Sequence, residues 1–267
     1  MTLSVSLGPR LQTVAALVPE GAVLGDIGTD HAYLPIALYE TQQIAKAVAI
    51  DIHKGPYESA RMAVQGRRLE AVIDVRLGDG LMPLESGEVN VLTLAGMGGR
   101  TMLDILSARP DVLNSVSELI VQPQGGEGAV RSELLAGGWR LKAERLVEEE
   151  ARIYVVMAYS RQDGLDSAEL LEEERVWKQR LHPLRASGII LATDREFADL
   201  VHRLVGHFGP LVLEERTDLL SRHLNEYSGM LLRRLEQMKR SNSPEIMTKI
   251  REVSAELALV GGLGTWQ

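Results

Sequence analysis

Asp26, Gly28 and Asp30 stand together in the run GDIGTDHAYLP, Gly25 to Pro35, where an apolar stretch gives way to the start of a helical pattern. A glycine at such a turn lets a ligand approach the backbone closely, and the following helix start offers free N–H groups. The spacing lacks the G-x-G-x-x-G of dinucleotide folds and the G-x-x-x-x-G-K-[ST] of phosphate-binding loops. Two carboxylates would repel a pyrophosphate, but they suit a ligand carrying an ammonium and a sulfonium, which is S-adenosylmethionine. The plainer reading is that Asp26 ends a strand and Asp30 caps a helix. His31 either orients one of these groups or simply begins the helix.

Further candidates follow other apolar runs. Asp51 comes after AVAI, and a carboxylate there can accept both hydroxyls of a ribose. In Gly78-Asp79-Gly80 the Asp side chain can accept from an exocyclic amine such as that of adenine. LAGMGG, Leu94 to Gly99, is a glycine-rich turn before a helix, placing Ala95, Gly96 and Met97 against a cofactor. Gln122-Pro123-Gln124-Gly125-Gly126 would border the same cleft from the substrate side. Each alone reads equally as a strand end or a turn. Their succession at consecutive strand ends points to a nucleoside-containing cofactor, because ligands of open parallel sheets lie beyond the carboxyl ends of the strands.

The elements that must position these residues alternate. Residues 9–18 have helical spacing, with Pro9 at the start and Pro19 past the end. Strands are expected at 22–27, 46–51, 72–77, 89–95 and 118–122, and helices at 31–39, 55–68, 99–107 and 126–136. Such alternation predicts a mainly parallel sheet covered on both faces. Trp139 to Val147, the acidic turn Glu148 to Glu150, and Ile153 to Tyr159 read as a closing hairpin with one antiparallel strand. The predicted fold is therefore α/β, a class I, Rossmann-like methyltransferase sheet, by analogy of fold.

Beyond residue 160 the strand pattern ends. Residues 168–181 and 195–208 read as helices, with an irregular connector holding Pro183 and Gly188. Leu220, Leu224, Tyr227, Leu231 and Met238 form a seam interrupted at Arg234, while Ile246, Ile250, Val253, Leu257 and Val260 keep heptad spacing. Ser241-Asn242-Ser243-Pro244-Glu245 supplies a cap and an N1 proline between them. The expected organisation is a cofactor-binding domain at 1–160, a helical connector or insertion at 161–208, and an antiparallel helical hairpin, or coiled coil, at 209–267.

The 267 residues include no cysteine, which excludes disulfides and thiolate metal sites, and no metal is expected. No apolar run reaches the length of a membrane span and no signal-peptide pattern is present, so a cytoplasmic location is expected. The net charge of −8 argues mildly against a nucleic-acid partner. Basic residues can still cluster on one face, as Arg61, Arg67 and Arg68 do on one expected helix, although such clusters usually mark a solvated surface.

The motifs together resemble the bacterial tRNA (adenine-22-N1)-methyltransferases, the TrmK family. The resemblance rests on RLQTVA at Arg10 to Ala15, DIGTDHAYLP at Asp26 to Pro35, GP with a following SA at Gly55 to Ala60, GDGL at Gly78 to Leu81, AGMGG at Ala95 to Gly99, and Gln122-Pro123. It continues in GPLVLEE, Gly209 to Glu215, and the final helical pair. Two departures stand out: Gln124 where the family often has Asn, and a longer segment at 163–208.

The resemblance implies methyl transfer from S-adenosylmethionine to N1 of an adenine in tRNA. It implies cofactor contacts from Arg10, Asp26, Gly28, Asp51, Asp79, Gly80, Ala95, Gly96 and Met97. Asp30 and His31 would then stand nearest the reaction, Gln122 and Pro123 on the substrate side, and the helical pair as a tRNA-binding domain. A methyltransferase of another substrate, or a non-catalytic S-adenosylmethionine-binding interaction protein, are the alternative readings.

Overall fold

A computed structural model describes residues 5–190, 192–239 and 244–265. The chain forms two compact units that divide after Asp166, where the sequence suggested divisions after residues 160 and 208.

The first unit is built on seven strands: β1 (Ala22–Ile27), β2 (Ile44–Asp51), β3 (Ile73–Leu77), β4 (Val91–Met97), β5 (Glu118–Pro123), β6 (Arg140–Glu149) and β7 (Arg152–Ser160). They form one sheet in the order β3-β2-β1-β4-β5-β7-β6. The first five are parallel, and β7 runs antiparallel to both β5 and β6. This is the expected α/β class with its closing hairpin. The chain starts at the middle of the sheet and builds outward in both directions, so strand order reverses between β1 and β4. A crevice opens at such a point because the crossovers on its two sides leave in opposite directions.

The helices are α1 (Pro9–Leu17), α2 (Tyr33–Glu40), α3 (Lys54–Gly66), α4 (Gly99–Ala108), α5 (Pro110–Ser115) and α6 (Glu127–Ala136). Helix α5 was not expected, since its six residues are too few to carry a periodic pattern. Central strands are apolar on both faces because helices cover both: Leu24, Ile50, Leu92 and Ile120 are all fully buried. The hairpin strands run further than expected, to Glu149. The turn is Glu150-Ala151 (φ 51° and 59°), a two-residue connection with both residues left-handed, which matches the twist of the flanking strands. Beneath the hairpin Arg131 of α6 and Glu144 of β6 form an ion pair of 2.5 Å, the two side chains 1% and 0% exposed.

The second unit is helical: α7 (Ser167–Ala186), α8 (Asp194–Phe208), α9 (Pro210–Glu215), α10 (Asp218–Met238) and α11 (Pro244–Thr265). The irregular connector expected around Pro183 is corrected, because α7 continues through that proline to Ala186. Buried Trp177 and Leu181 anchor the helix, and Gly188 (φ 77°) ends it by donating its N–H to the Arg185 carbonyl. Thr193 and Glu196 form a reciprocal capping box at the start of α8.

In α10 the buried stripe is Leu220, Leu224, Leu231 and Leu235. The seam is therefore unbroken at Arg234: Leu235, the next residue, fills the stripe. The Tyr227 hydroxyl donates to Glu256 of α11 at 2.6 Å, joining the two long helices. The cap expected at Ser241-Asn242-Ser243 lies outside the described residues, and α11 begins at Pro244. Among the described residues, no helix is long and apolar enough to cross a membrane.

Candidate active site

Asp26 sits on β1 beside the strand-order reversal and is 5% exposed. A buried carboxylate needs hydrogen-bond partners, and two threonines supply them. Thr29 Oγ1 donates to Oδ2 at 2.6 Å and Thr93 Oγ1 donates to Oδ1 at 2.7 Å. Thr93 lies directly opposite Asp26 in the β1–β4 register. Burial raises the Asp26 pKa; the two hydroxyl bonds pull it down, and the nearby Asp51 carboxylate pushes it further up. Neither threonine was picked out from sequence. A hydroxyl in the otherwise apolar VLTLA strand was the available signal, since a buried polar side chain calls for a partner.

The turn after β1 is tighter than the sequence suggested. Gly28 (φ 74°) adopts a conformation that favours glycine, and a Cβ there would come within 2.9 Å of Met97 Cε. Asp30 (φ 53°) and Ala32 (φ 55°) are also left-handed. Asp30 does not cap the helix, contrary to expectation: α2 starts at Tyr33, its N-cap position is Ala32, and no side chain caps it. The Asp30 side chain, 69% exposed, instead faces outward with His31 Nε2 at 3.6 Å. The His31 ring stacks on Tyr33, centroids 5.2 Å apart.

Asp51 ends β2 with 7% exposure. Its Oδ2 accepts from the Asp30 main-chain N–H at 3.1 Å and its Oδ1 from that of His53 at 2.9 Å. Each oxygen keeps a further lone pair for a ligand. Gly78 N–H bonds to the Asp51 carbonyl at 3.0 Å, which sets the GDG turn next in the row of strand ends. Asp79 is exposed there and Gly80 buried. These two do not line the cavity around Asp26.

Gln122 is fully buried at the end of β5, and Pro123 is buried as well. Of the run Gln122 to Gly126 expected to border the cleft, exposed Gln124 lines the cavity around Asp26, while buried Gln122 and Pro123 stand behind its wall. Gln122 Oε1 accepts from Arg10 Nη1 at 2.8 Å and from Gly96 N–H at 3.1 Å. Its Nε2 donates to the Pro123 carbonyl at 2.8 Å. Arg10 is held a second time by Glu149, Nε to Oε2 at 3.0 Å. Gly96 (φ 79°) lies where the β4–β5 register shifts between Ala95 and Met97, a bulge that takes its N–H out of the strand ladder.

Several of these groups meet at a cavity of about 250 Å³. Arg10, Asp26, Gly28, Asp30, His31, Ala95, Gly96 and Gln124 line it, together with Leu11, Thr29, Tyr33 and Leu34, to which the sequence gave no site role. Acidic and basic groups thus share one small space over the reversal point of a seven-stranded sheet with an antiparallel β7. Residues 7–157 match the methyltransferase domain family.

The chain belongs to the methyltransferase domain family. Its methyltransferase domain is 40% identical over 151 residues to the tRNA (adenine(22)-N(1))-methyltransferase of Bacillus subtilis (strain 168), an alignment covering 57% of this chain and 63% of that enzyme. In that alignment the chain spans less than two thirds of its relative. A putative tRNA methyltransferase of Mycoplasma pneumoniae is 30% identical over 151 residues, 56% of this chain and 69% of that one. In three dimensions the likeness is longer. The crystal structure of the B. subtilis m1A22 tRNA methyltransferase TrmK matches with TM-score 0.76 and 27% identity, covering 97% of this chain and 99% of that one. A putative tRNA (m1A22) methyltransferase of Streptococcus pneumoniae, in complex with S-adenosyl-L-methionine, matches with TM-score 0.70 and 29% identity over 94% of this chain and 100% of that one.

Proposed function

We propose that this chain is an S-adenosylmethionine-dependent methyltransferase acting on N1 of adenine 22 in tRNA. The observation that carries the reading is the cavity in which Asp26, Asp30 and Arg10 meet, taken with the likeness, in sequence and across both units, to enzymes of that name.

The side chains fit the cofactor. Its amino-acid end carries one ammonium and one carboxylate, and the cavity offers the Asp26 carboxylate for the first and the Arg10 guanidinium for the second. Ala95, Gly96 and Met97 belong beside the methionine part. Asp51, with an open lone pair on each oxygen, suits the paired hydroxyls of the ribose. Asp79 and Gly80 belong at the adenine, further along the row of strand ends. A pyrophosphate in this cavity would meet the carboxylates of Asp26 and Asp30, so a dinucleotide fits poorly.

When bound, the cofactor supplies an electrophilic methyl group: the lone pair of adenine N1 bonds to the methyl carbon as the carbon–sulfur bond breaks and its electron pair stays on sulfur. That lone pair is free near neutral pH, so the residues need not remove a proton first. Their task is orientation, which is worth about 7–11 kcal/mol for well-aligned reactants. The methylated base becomes cationic. Asp30, at the cavity mouth beside His31, is placed to favour that charge, the more so once a bound tRNA excludes water from its exposed carboxylate. The paired helices α10 and α11 are the candidate grip on the folded shape of the tRNA, and a tRNA substrate supports a cytoplasmic location.

Incubation of the full chain with methyl-labelled S-adenosylmethionine and unmodified tRNA transcripts tests this reading. Label is expected in tRNA, and no transfer to any tRNA would overturn it.

A further inference from the structure

Gln122 is a wholly buried side chain that touches two walls of the candidate cavity without lining it. Its carboxamide orientation is fixed on one side, since Nε2 donates to the Pro123 carbonyl at 2.8 Å. The oxygen is thereby turned toward two donors from different elements. One is Nη1 of Arg10 on α1, and the other is the main-chain N–H of Gly96, displaced from the β4–β5 ladder by its bulge. Arg10 Nη1 lies 3.4 Å from where a Cβ on Gly96 would stand, so one carbonyl oxygen sets the spacing of two adjacent groups on the cavity wall.

We propose that Gln122 is a positioning residue for the amino-acid end of the cofactor, acting through Arg10 and Gly96. This rests on the cofactor reading given above. The carboxamide type matters. An aliphatic side chain would leave the Gly96 N–H and one Arg10 N–H without their acceptor, and the guanidinium would keep only its Nε bond to Glu149 and the ring of Tyr154. An acidic residue would keep the acceptor while losing the donor to Pro123.

Because the role concerns one end of the cofactor only, it can be tested by a readout other than activity. Binding of S-adenosylhomocysteine and of 5′-methylthioadenosine, which lacks the amino-acid end, is measured by calorimetry on the full chain and on Gln122→Met. The variant is expected to bind S-adenosylhomocysteine about tenfold more weakly, the size of one lost hydrogen bond to a charged group. Its affinity for 5′-methylthioadenosine should stay within about twofold, because the nucleoside end does not depend on Gln122. Equal losses for both ligands would mean that Gln122 only supports the fold, and no loss would mean that it positions nothing; either overturns the proposal.

If Gln122→Met does not fold, Gln122→Asn decides the matter. Its shorter side chain draws the acceptor away from Arg10 and Gly96, so a loss of about tenfold is expected for S-adenosylhomocysteine with 5′-methylthioadenosine within about twofold, and equal losses or no loss would overturn the proposal. A wild-type chain that binds neither ligand overturns the cofactor reading itself, and the positioning role with it.

Discussion

The carboxylate of Asp51, at the end of β2, accepts a hydrogen bond from the main-chain N–H of Asp30 at 3.1 Å. The residue read from sequence as a ribose ligand is thus also a clamp on the turn carrying Asp30, which lines the cavity. Replacing it therefore has two effects. Asp51→Asn keeps one acceptor oxygen and turns an NH2 toward the other main-chain N–H, so it is expected to weaken S-adenosylmethionine binding by about tenfold or more and to cost ~1–3 kcal/mol of stability. Asp51→Ala leaves the second backbone amide without its acceptor as well and should cost a further ~1–3 kcal/mol. Calorimetry and thermal unfolding on both variants check this; unchanged affinity in both would remove Asp51 from the site.

Asp26 predicts a conflict between stability and function. Burial raises its pKa, so the folded chain binds that proton more tightly than the unfolded chain does. Its stability contribution in the ligand-free protein is present below the ordinary carboxylate pKa and is lost as pH rises through the raised value. Asp26→Asn should hold or raise the ligand-free melting temperature at neutral pH and flatten that acid-side dependence. The same variant should weaken S-adenosylmethionine binding by about tenfold or more. In the wild type, affinity should fall as pH drops through a range above the usual carboxylate pKa, because the protonated acid cannot pair with an ammonium.

Asp30 should behave differently, since its side chain is 69% exposed and no helix depends on it as a cap. Asp30→Asn is expected to leave cofactor affinity within about twofold and to lower kcat by roughly tenfold to a hundredfold, as loss of charge stabilisation near a cationic product would. Steady-state kinetics with tRNA saturating in one series and cofactor in the other separates the two. A rise in cofactor KM with kcat intact would place Asp30 at the ammonium instead.

The Arg131–Glu144 pair lies in the same unit but outside the cavity and makes a prediction about stability alone. Glu144→Ala leaves a guanidinium buried without this carboxylate and should cost about 3–5 kcal/mol in denaturant unfolding. The double replacement Arg131→Met with Glu144→Leu should recover most of that loss. A single variant as stable as the wild type would contradict the buried-pair account.

Much of this was legible in the residues, for physical reasons that differ by element. β1, Ala22–Ile27, falls where its pattern predicted, because Ala22, Val23, Leu24 and Ile27 are apolar and Gly21 and Gly28 bound them. α5 went unseen because six residues cannot show a period, and α7 ran through Pro183 because buried Trp177 and Leu181 fix it by packing, which outweighs local propensity. At the candidate site, residue types drew attention to Asp26 and Gly28, which line the cavity, and to Asp51, which bonds to the turn beside it. What sequence could not supply was direction: Asp30 turned outward instead of capping, and Gln122 turned inward. The glycines absent after Gly28 were informative in another way. Asp30 and Ala32 still adopt left-handed conformations there, at a cost of about 1–2 kcal/mol for a non-glycine residue. The turn keeps a glycine-like shape while carrying a carboxylate where a phosphate-binding loop would have none.

The predicted site of methylation is N1 of adenine 22. Unmodified tRNA transcripts, one with adenine 22 and one with that base replaced, are treated with the enzyme and S-adenosylmethionine, digested, and the nucleosides analysed by mass spectrometry alongside primer extension. The expected result is 1-methyladenosine and an extension stop at position 22 in the first transcript and neither in the second. Methylation at another position, at the exocyclic amine, or equally in both transcripts would contradict the claim.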